Sequence, residues 1–224
     1  MHEPKLTRES LAVRVDHAAL KPELTRNELR AACELVARLR TASICVQPCN
    51  VAPAKAMLAG SGVMVGTVAG FPLGATTPRA KAAETRQAVL DGADEIDMVL
   101  NIGRLIDGDV GYVERDIAAV VAAADGRCVK VILECCCLTD EQKIAGCKAA
   151  VAAGAKFVKT STGTASGGAT VEDVRLLRNT VGSAAGVKAA GGIRTLADVE
   201  AMIAAGATRL GCSATEAILD ELSA

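Results

Sequence analysis

Ala153-Gly154-Ala155-Lys156-Phe157-Val158-Lys159-Thr160-Ser161-Thr162-Gly163 holds in one stretch the unit from which the chain is built. A glycine between alanines ends a helix, a β-branched and aromatic run follows, and a second glycine turns that run into a loop. The same stop signal returns as Asp91-Gly92-Ala93 and as Ala205-Gly206-Ala207, each time ahead of an apolar run of strand length. Working outward, the pattern predicts strands at residues 11–15, 43–47, 63–68, 95–100, 129–134, 156–160, 187–189 and 208–211. Asp16-His17-Ala18-Ala19-Leu20-Lys21-Pro22 is then expected to open a loop after the first of them.

Helices fill the intervals. Thr25 with Glu28 and Thr139 with Gln142 read as capping boxes, and Thr77-Pro78 reads as a cap followed by a first-turn proline. Thr170 with Asp173, Thr195 with Asp198 and Ser213 with Glu216 mark further helix starts, and Pro53 starts a short helix reaching Leu58. A helix near residues 113–124 follows a loop through Gly103 and Gly108. Strand-then-helix units repeated to this number, without a long linker, predict a (β/α)8 barrel with the chain 1–224 as one domain. An open dinucleotide-binding sheet is disfavoured, because no GxGxxG stands at a strand-to-helix junction.

Composition narrows the function. A net charge of −1 and a pI near 6.2 give no electrostatic footprint for nucleic acid, and an aromatic content of 1% removes the stacking platforms that single strands use. No apolar run approaches the roughly eighteen residues of a membrane helix. Met1-His2-Glu3-Pro4-Lys5 leads into no signal-like segment, so a cytoplasmic protein is expected. Nine cysteines, an odd number, argue against a disulfide framework. Cys135-Cys136-Cys137, read as strand residues on alternating faces, and Cys45 with Cys49, which form no CxxC pair, argue against a metal site.

The informative residues are charged ones inside apolar strands: Asp16, Asp97, Lys130, Lys159 and Lys188. Each also has a plain structural reading. Asp16 could cap a loop, Asp97 and the lysines could form ion pairs, and Lys159 could be an edge-strand lysine that discourages aggregation. Taken together they ask for more, because burying charge is costly unless it is paired or used. A buried lysine loses its preference for the ammonium form, a second lysine alongside it adds to that loss, and the free amine adds to carbonyls as a Schiff-base nucleophile. Lys159 with Lys188 beside it and Asp97 to move protons would equip an aldolase that needs no cofactor.

A second set is glycine-rich. Gly191-Gly192 after the seventh strand and Gly211-Cys212-Ser213 after the eighth stand where barrels commonly hold phosphate. Gly163 and Arg194 could add an amide and a charge, so the substrate is expected to carry a phosphate remote from its carbonyl.

These residues resemble the deoxyribose-phosphate aldolase family, over nearly the whole chain. The resemblance is carried by Ala93-Asp94-Glu95-Ile96-Asp97-Met98-Val99, Phe157-Val158-Lys159-Thr160-Ser161-Thr162-Gly163 and Val187-Lys188-Ala189-Ala190-Gly191-Gly192-Ile193-Arg194. It implies reversible cleavage of 2-deoxy-D-ribose 5-phosphate to D-glyceraldehyde 3-phosphate and acetaldehyde, without a cofactor, by a homo-oligomer of two or more subunits. By motif, Lys159 matches the Schiff-base lysine, Lys188 the lysine that perturbs it and Asp97 the proton relay. The substrate and phosphate contacts are expected at Asp16, Gly163, Gly191, Gly192, Arg194, Gly211 and Ser213. The chain departs from the family pattern at Ala18, Cys135 and Ala214, where hydroxyl or small polar residues are common. Two other readings remain open at this point: a Schiff-base aldolase for a different phosphorylated sugar, and a non-catalytic phosphosugar-binding barrel. Thiols at Cys45 or Cys135 near an aldehyde site would be open to reaction with its products.

Overall fold

The structure is a computed structural model that describes residues 6–222; the polar stretch at residues 1–5 lies outside them. Eight parallel strands close into a barrel in sequence order, β1 (Val15–Ala19), β2 (Ser43–Val46), β3 (Met64–Ala69), β4 (Glu95–Val99), β5 (Cys128–Ile132), β6 (Phe157–Lys159), β7 (Gly186–Ala190) and β8 (Arg209–Cys212). Closure is made by β1 pairing with β8, with Asp16 opposite Gly211. Around the barrel run α1 (Arg8–Ala12), α2 (Arg26–Leu39), α3 (Val51–Met57), α4 (Pro78–Leu90), α5 (Ile102–Ile106), α6 (Val110–Ala123), α7 (Asp140–Ala152), α8 (Val171–Val181), α9 (Leu196–Ala204) and α10 (Thr215–Glu221). Among the described residues no helix is long and apolar enough to cross a membrane.

The expected caps form at most helix starts. Thr25 with Glu28, Thr139 with Gln142 and Thr195 with Asp198 make reciprocal capping boxes, and Thr77 and Thr170 each accept an N–H of the first turn. Alternation on the strands separates two environments. Ile44, Val65, Ile96, Val131, Val158, Val187 and Leu210 face the helices and form the buried apolar core, each contributing about 1.5–3 kcal/mol by burial. The intervening positions point into the barrel, and there the chain has placed its charge.

Several sequence expectations are corrected. Residues 11–15 do not form the first strand: Thr7 and Ser10 make a capping box, Leu11 and Ala12 end the short α1, and the strand begins at Val15. Asp16 and His17 are therefore strand residues and not a loop. Pro48, not Pro53, opens the segment after β2, as a 3-10 turn over Pro48–Asn50 that runs into α3. The loop through Gly103 contains α5, whose N-cap is Asn101. Cys135–Cys137 is a 3-10 turn, not strand, because Glu134 takes a left-handed backbone and breaks the extension of β5. Ser213 does not cap α10; the N-cap is Ala214, which makes no side-chain cap bond.

Candidate active site

Strand register brings the inward-facing charges together. Lys159 on β6 is level with Lys188 on β7, which is level with Arg209 on β8. Asp97 on β4 is level with Lys130 on β5, and Asp16 on β1 with Ser43 on β2. Residues matched across neighbouring parallel strands project to the same side, so these side chains converge in the barrel interior. Asp97, fully buried, is the hub. Its Oδ2 accepts from Lys159 Nζ at 2.8 Å and from Lys188 Nζ at 2.7 Å, and its Oδ1 accepts from Lys130 Nζ at 2.9 Å.

Below Asp97 the network continues. Lys188 also donates to Asp16 Oδ2 at 2.6 Å, while Asp16 Oδ1 accepts from Ser43 Oγ and from Arg209, both at 2.7 Å. Lys130 and Arg209 share Glu95, at 2.6 and 3.1 Å. The arrangement holds four cationic side chains, Lys130, Lys159, Lys188 and Arg209, against the three carboxylates of Asp16, Glu95 and Asp97. Interior charge is tolerated when it is paired, and this set balances only when one of the cations gives up its proton.

Geometry decides which one. Lys188 and Lys130 each contact more than one carboxylate, whereas Lys159 contacts Asp97 alone. Burial pushes the Lys159 amine below its ordinary pKa; Asp97 opposes this, and the charge of Lys188 adds to it. Burial acts on Lys188 and Lys130 in the same sense, but Asp16 and Asp97 outweigh it for both, and Glu95 helps at Lys130, so these two amines are raised. Burial alone would raise Asp97, yet the three lysines hold it well below the usual carboxylate range. The site therefore presents one amine whose pKa is lowered, fixed by a carboxylate and flanked by a lysine whose pKa is raised.

That amine faces a cavity of about 390 Å³ at the C-terminal end of the barrel, whose lining includes Lys159, Lys188, Asp16, Cys45, Phe71 and Thr162. Much of the remaining lining is made of turns. Gly163, Gly191 and Gly192 all have left-handed backbones, with φ of 85, 87 and 81°, which only glycine adopts without strain. The turns pack directly on each other: a Cβ on Gly168 would stand 2.3 Å from the Gly191 carbonyl oxygen. The N–H groups of Gly163, Gly192, Ile193 and Ser213 find no acceptor among the described residues, and all four residues line the cavity, as does Arg194. By contrast, the Arg194 and Thr195 N–H groups, just before α9, are taken by Asp198. A phosphate here would be held by turn amides and not by the start of α9.

The comparisons with known proteins agree with this geometry. Residues 10–219 match the family described as DeoC/LacD family aldolase. The chain is 52% identical over 216 residues to a deoxyribose-phosphate aldolase of Clostridium perfringens, covering 96% of each. It is 55% identical over 211 residues to one of Exiguobacterium sibiricum, covering 94% of this chain and 96% of that one. The chain belongs to the DeoC/LacD family of aldolases. Among solved structures, a crystal structure of a Coccidioides immitis protein superimposes with a TM-score of 0.96 at 38% identity, covering 99% of this chain and 89% of that chain. The tetrameric deoxyribose phosphate aldolase of Aeropyrum pernix does so with a TM-score of 0.91 at 29% identity, covering 97% and 93%.

Within this DeoC/LacD barrel the residues singled out from sequence fall into three groups. Lys159, Lys188 and Asp97 meet at one carboxylate oxygen. Gly163, Gly191, Gly192, Arg194 and Ser213 line the cavity. Asp16 and Gly211 line the same cavity but are engaged with Lys188. Asp16 is an anion locked among Lys188, Arg209 and Ser43, so it orients Lys188 and is not suited to hold a phosphate. Gly211 lies within β8, where a Cβ would stand 3.0 Å from Lys188 Cε; its missing side chain is the space that Lys188 occupies. Lys130 was visible as a strand lysine, but Glu95, Ser43 and Arg209 were missed, since their partners lie many residues away. The thiols separate too. Cys45 lines the cavity, with burial and the neighbouring Asp97 pushing its pKa up to about 11, so it stands there as a thiol. Cys135 is buried outside the cavity and its thiol is also raised by burial.

Proposed function

We propose that the chain cleaves 2-deoxy-D-ribose 5-phosphate reversibly into D-glyceraldehyde 3-phosphate and acetaldehyde, with Lys159 as the Schiff-base nucleophile. The observation that carries the reading is the single under-paired amine of Lys159 on Asp97, opening into a cavity whose lining also offers turn amides and Arg194. Lys159 Nζ attacks the C1 aldehyde of the open-chain sugar, and the carbinolamine loses water to give an iminium. Asp97, in contact with the same nitrogen, moves protons during addition and dehydration, directly or through water. Loss of the C3 hydroxyl proton breaks the C2–C3 bond, and its electron pair flows into the iminium to form an enamine. Glyceraldehyde 3-phosphate leaves, C2 is protonated, and water releases acetaldehyde from Lys159. Gly163, Gly192, Ser213 and Arg194 hold the phosphate in this reading, while burial and Lys188, oriented by Asp16, favour the unprotonated form of the Lys159 amine.

The same reading takes the chain as one cytoplasmic enzyme domain working as a homo-oligomer, in keeping with the tetrameric Aeropyrum pernix relative. The substrate test is a panel. The enzyme is offered 2-deoxyribose 5-phosphate and other phosphorylated aldoses and ketoses, and release of acetaldehyde and glyceraldehyde 3-phosphate is followed. The proposal requires 2-deoxyribose 5-phosphate to give the highest kcat/KM. A higher value for another phosphorylated sugar would move the assignment to that sugar.

A further inference from the structure

Glu134, two residues after the end of β5, is buried and belongs to neither the lysine network nor the cavity lining. Its backbone is left-handed, φ 60° and ψ 65°, a conformation that a residue with a Cβ adopts at a cost and keeps only where its surroundings enforce it. The flanking backbone supplies that enforcement: Leu133 N–H donates to the Lys159 carbonyl and Cys135 N–H to the Thr160 carbonyl, both at 2.9 Å. Between these two bonds the kink turns the Glu134 side chain across to the loop that follows β6.

There one residue takes both of its oxygens. Thr162 N–H lies 3.2 Å from Oε1, and Thr162 O–H donates to Oε2 at 2.5 Å. The chain continues outward, since Thr162 Oγ1 accepts the Thr164 N–H at 3.1 Å and lies 2.9 Å from Thr164 Oγ1. An ionised carboxylate only accepts, which fixes the direction of the chain: the Thr162 hydroxyl points to Glu134, and the Thr164 hydroxyl donates to Thr162. Gly163 sits between the two tethered threonines with its own N–H free of any acceptor among the described residues. It is also in contact with Gly191, whose added Cβ would stand 3.3 Å from Gly163 Cα.

Resting on the aldolase reading above, we infer that Glu134 is a positioning residue for the phosphate end of the substrate. Its carboxylate holds Thr162 and Thr164 so that the Gly163 N–H stands ready beside the Gly191-Gly192 turn as a preformed anion cradle. A carboxylate this close to an anion site would repel the ligand, so its presence makes sense only if ordering the loop outweighs that repulsion; the two threonine donors quench its charge and tip the balance.

The test compares the wild type with Glu134→Gln, Glu134→Ala and Thr162→Val, using 2-deoxyribose 5-phosphate, unphosphorylated 2-deoxyribose and inorganic phosphate as a competitive ligand. Far-UV circular dichroism and thermal melts identify variants that fold. Loss of a charged pair of bonds should raise KM for the phosphorylated sugar and Ki for phosphate by about tenfold or more in Glu134→Ala. Glu134→Gln, which keeps one acceptor, should fall between, and Thr162→Val should follow the same order. Cleavage of 2-deoxyribose should change much less than cleavage of its phosphate. Equal losses on both sugars, or phosphate binding that is unchanged or tighter in folded Glu134→Gln, would overturn the inference. Phosphate affinity is measured by titration without turnover, so an enzyme that rejected 2-deoxyribose 5-phosphate altogether would contradict the substrate assignment while leaving the role of Glu134 to be decided by that titration.

Discussion

Replacing Lys188 by methionine tests the charge argument most searchingly, because it keeps most of the volume of the side chain and removes its charge together with its bonds to Asp16 and Asp97. Lys159 and Lys188 lie 2.8 and 2.7 Å from the same Asp97 oxygen, so their nitrogens are no more than about 5.5 Å apart; at an effective dielectric of about 20 that separation corresponds to roughly 3 kcal/mol of repulsion. Removing it favours the ammonium form of Lys159 by on the order of 100-fold. The change also leaves three cations facing three carboxylates, so charge balance no longer calls for a neutral Lys159. The sign follows from the chemistry: the free amine is the reactive form, a depressed pKa keeps it available at lower pH, and the variant's acid limb must move to higher pH. Measured as kcat against pH for cleavage of 2-deoxyribose 5-phosphate, the variant should be about 100-fold slower near neutral pH and recover about tenfold per pH unit as pH rises. A loss of the same size at every pH would show that Lys188 does something other than tune Lys159. No loss at all would remove the charge argument.

Two further substitutions probe the supporting structure. Gly211→Ala places a Cβ 3.0 Å from both Lys188 Cε and Ala190 Cβ, so it should cost about 1–3 kcal/mol by overpacking and shift the pH profile in the same direction as Lys188→Met; a variant with wild-type melting temperature and profile would contradict the packing. Outside the barrel, Lys81 and Asp116 are wholly buried, with Lys81 Nζ donating to Asp116 Oδ2 at 2.5 Å and to the Val99 carbonyl at 2.8 Å. Burial pulls Lys81 down and pushes Asp116 up, and Asp116 Oδ1 already lacks a partner. Lys81→Met should therefore destabilise the fold by about 3–5 kcal/mol in urea titrations, with Lys81→Met/Asp116→Leu regaining much of that loss; equal stability of the single variant and the wild type would refute it.

The barrel could be read from the chain because its signals are local. Most helix starts have their cap within three residues, as at Thr25 and Thr139, and several stops have their glycine, as at Gly154 and Gly206. The first strand was displaced for a related reason. Leu11, Ala12 and Val15 form a short apolar run that suits a strand and a helix turn equally, and the Thr7–Ser10 box that decides it is a weak signal. Asp16 looked like a loop residue because its compensation comes from Ser43, Lys188 and Arg209, none of them near it in sequence. Lys159, Lys188 and Asp97 were recoverable as charges inside apolar runs, and family resemblance supplied their roles. Glu95 and Arg209 open their strands, where charge is ordinary, and Glu134 ends a run that reads as plain strand; only the barrel's closure and the left-handed kink reveal what they do.

The claim on which the whole account rests is that the Lys159 amine forms the covalent intermediate. Borohydride reduction in the presence of 2-deoxyribose 5-phosphate or acetaldehyde, followed by peptide mass mapping of the wild type and Lys159→Leu, tests it directly. A reduced adduct is expected on the peptide carrying Lys159 in the wild type and none in the variant. An adduct on Lys188 or Lys130, or no adduct with either compound on folded protein, would contradict it.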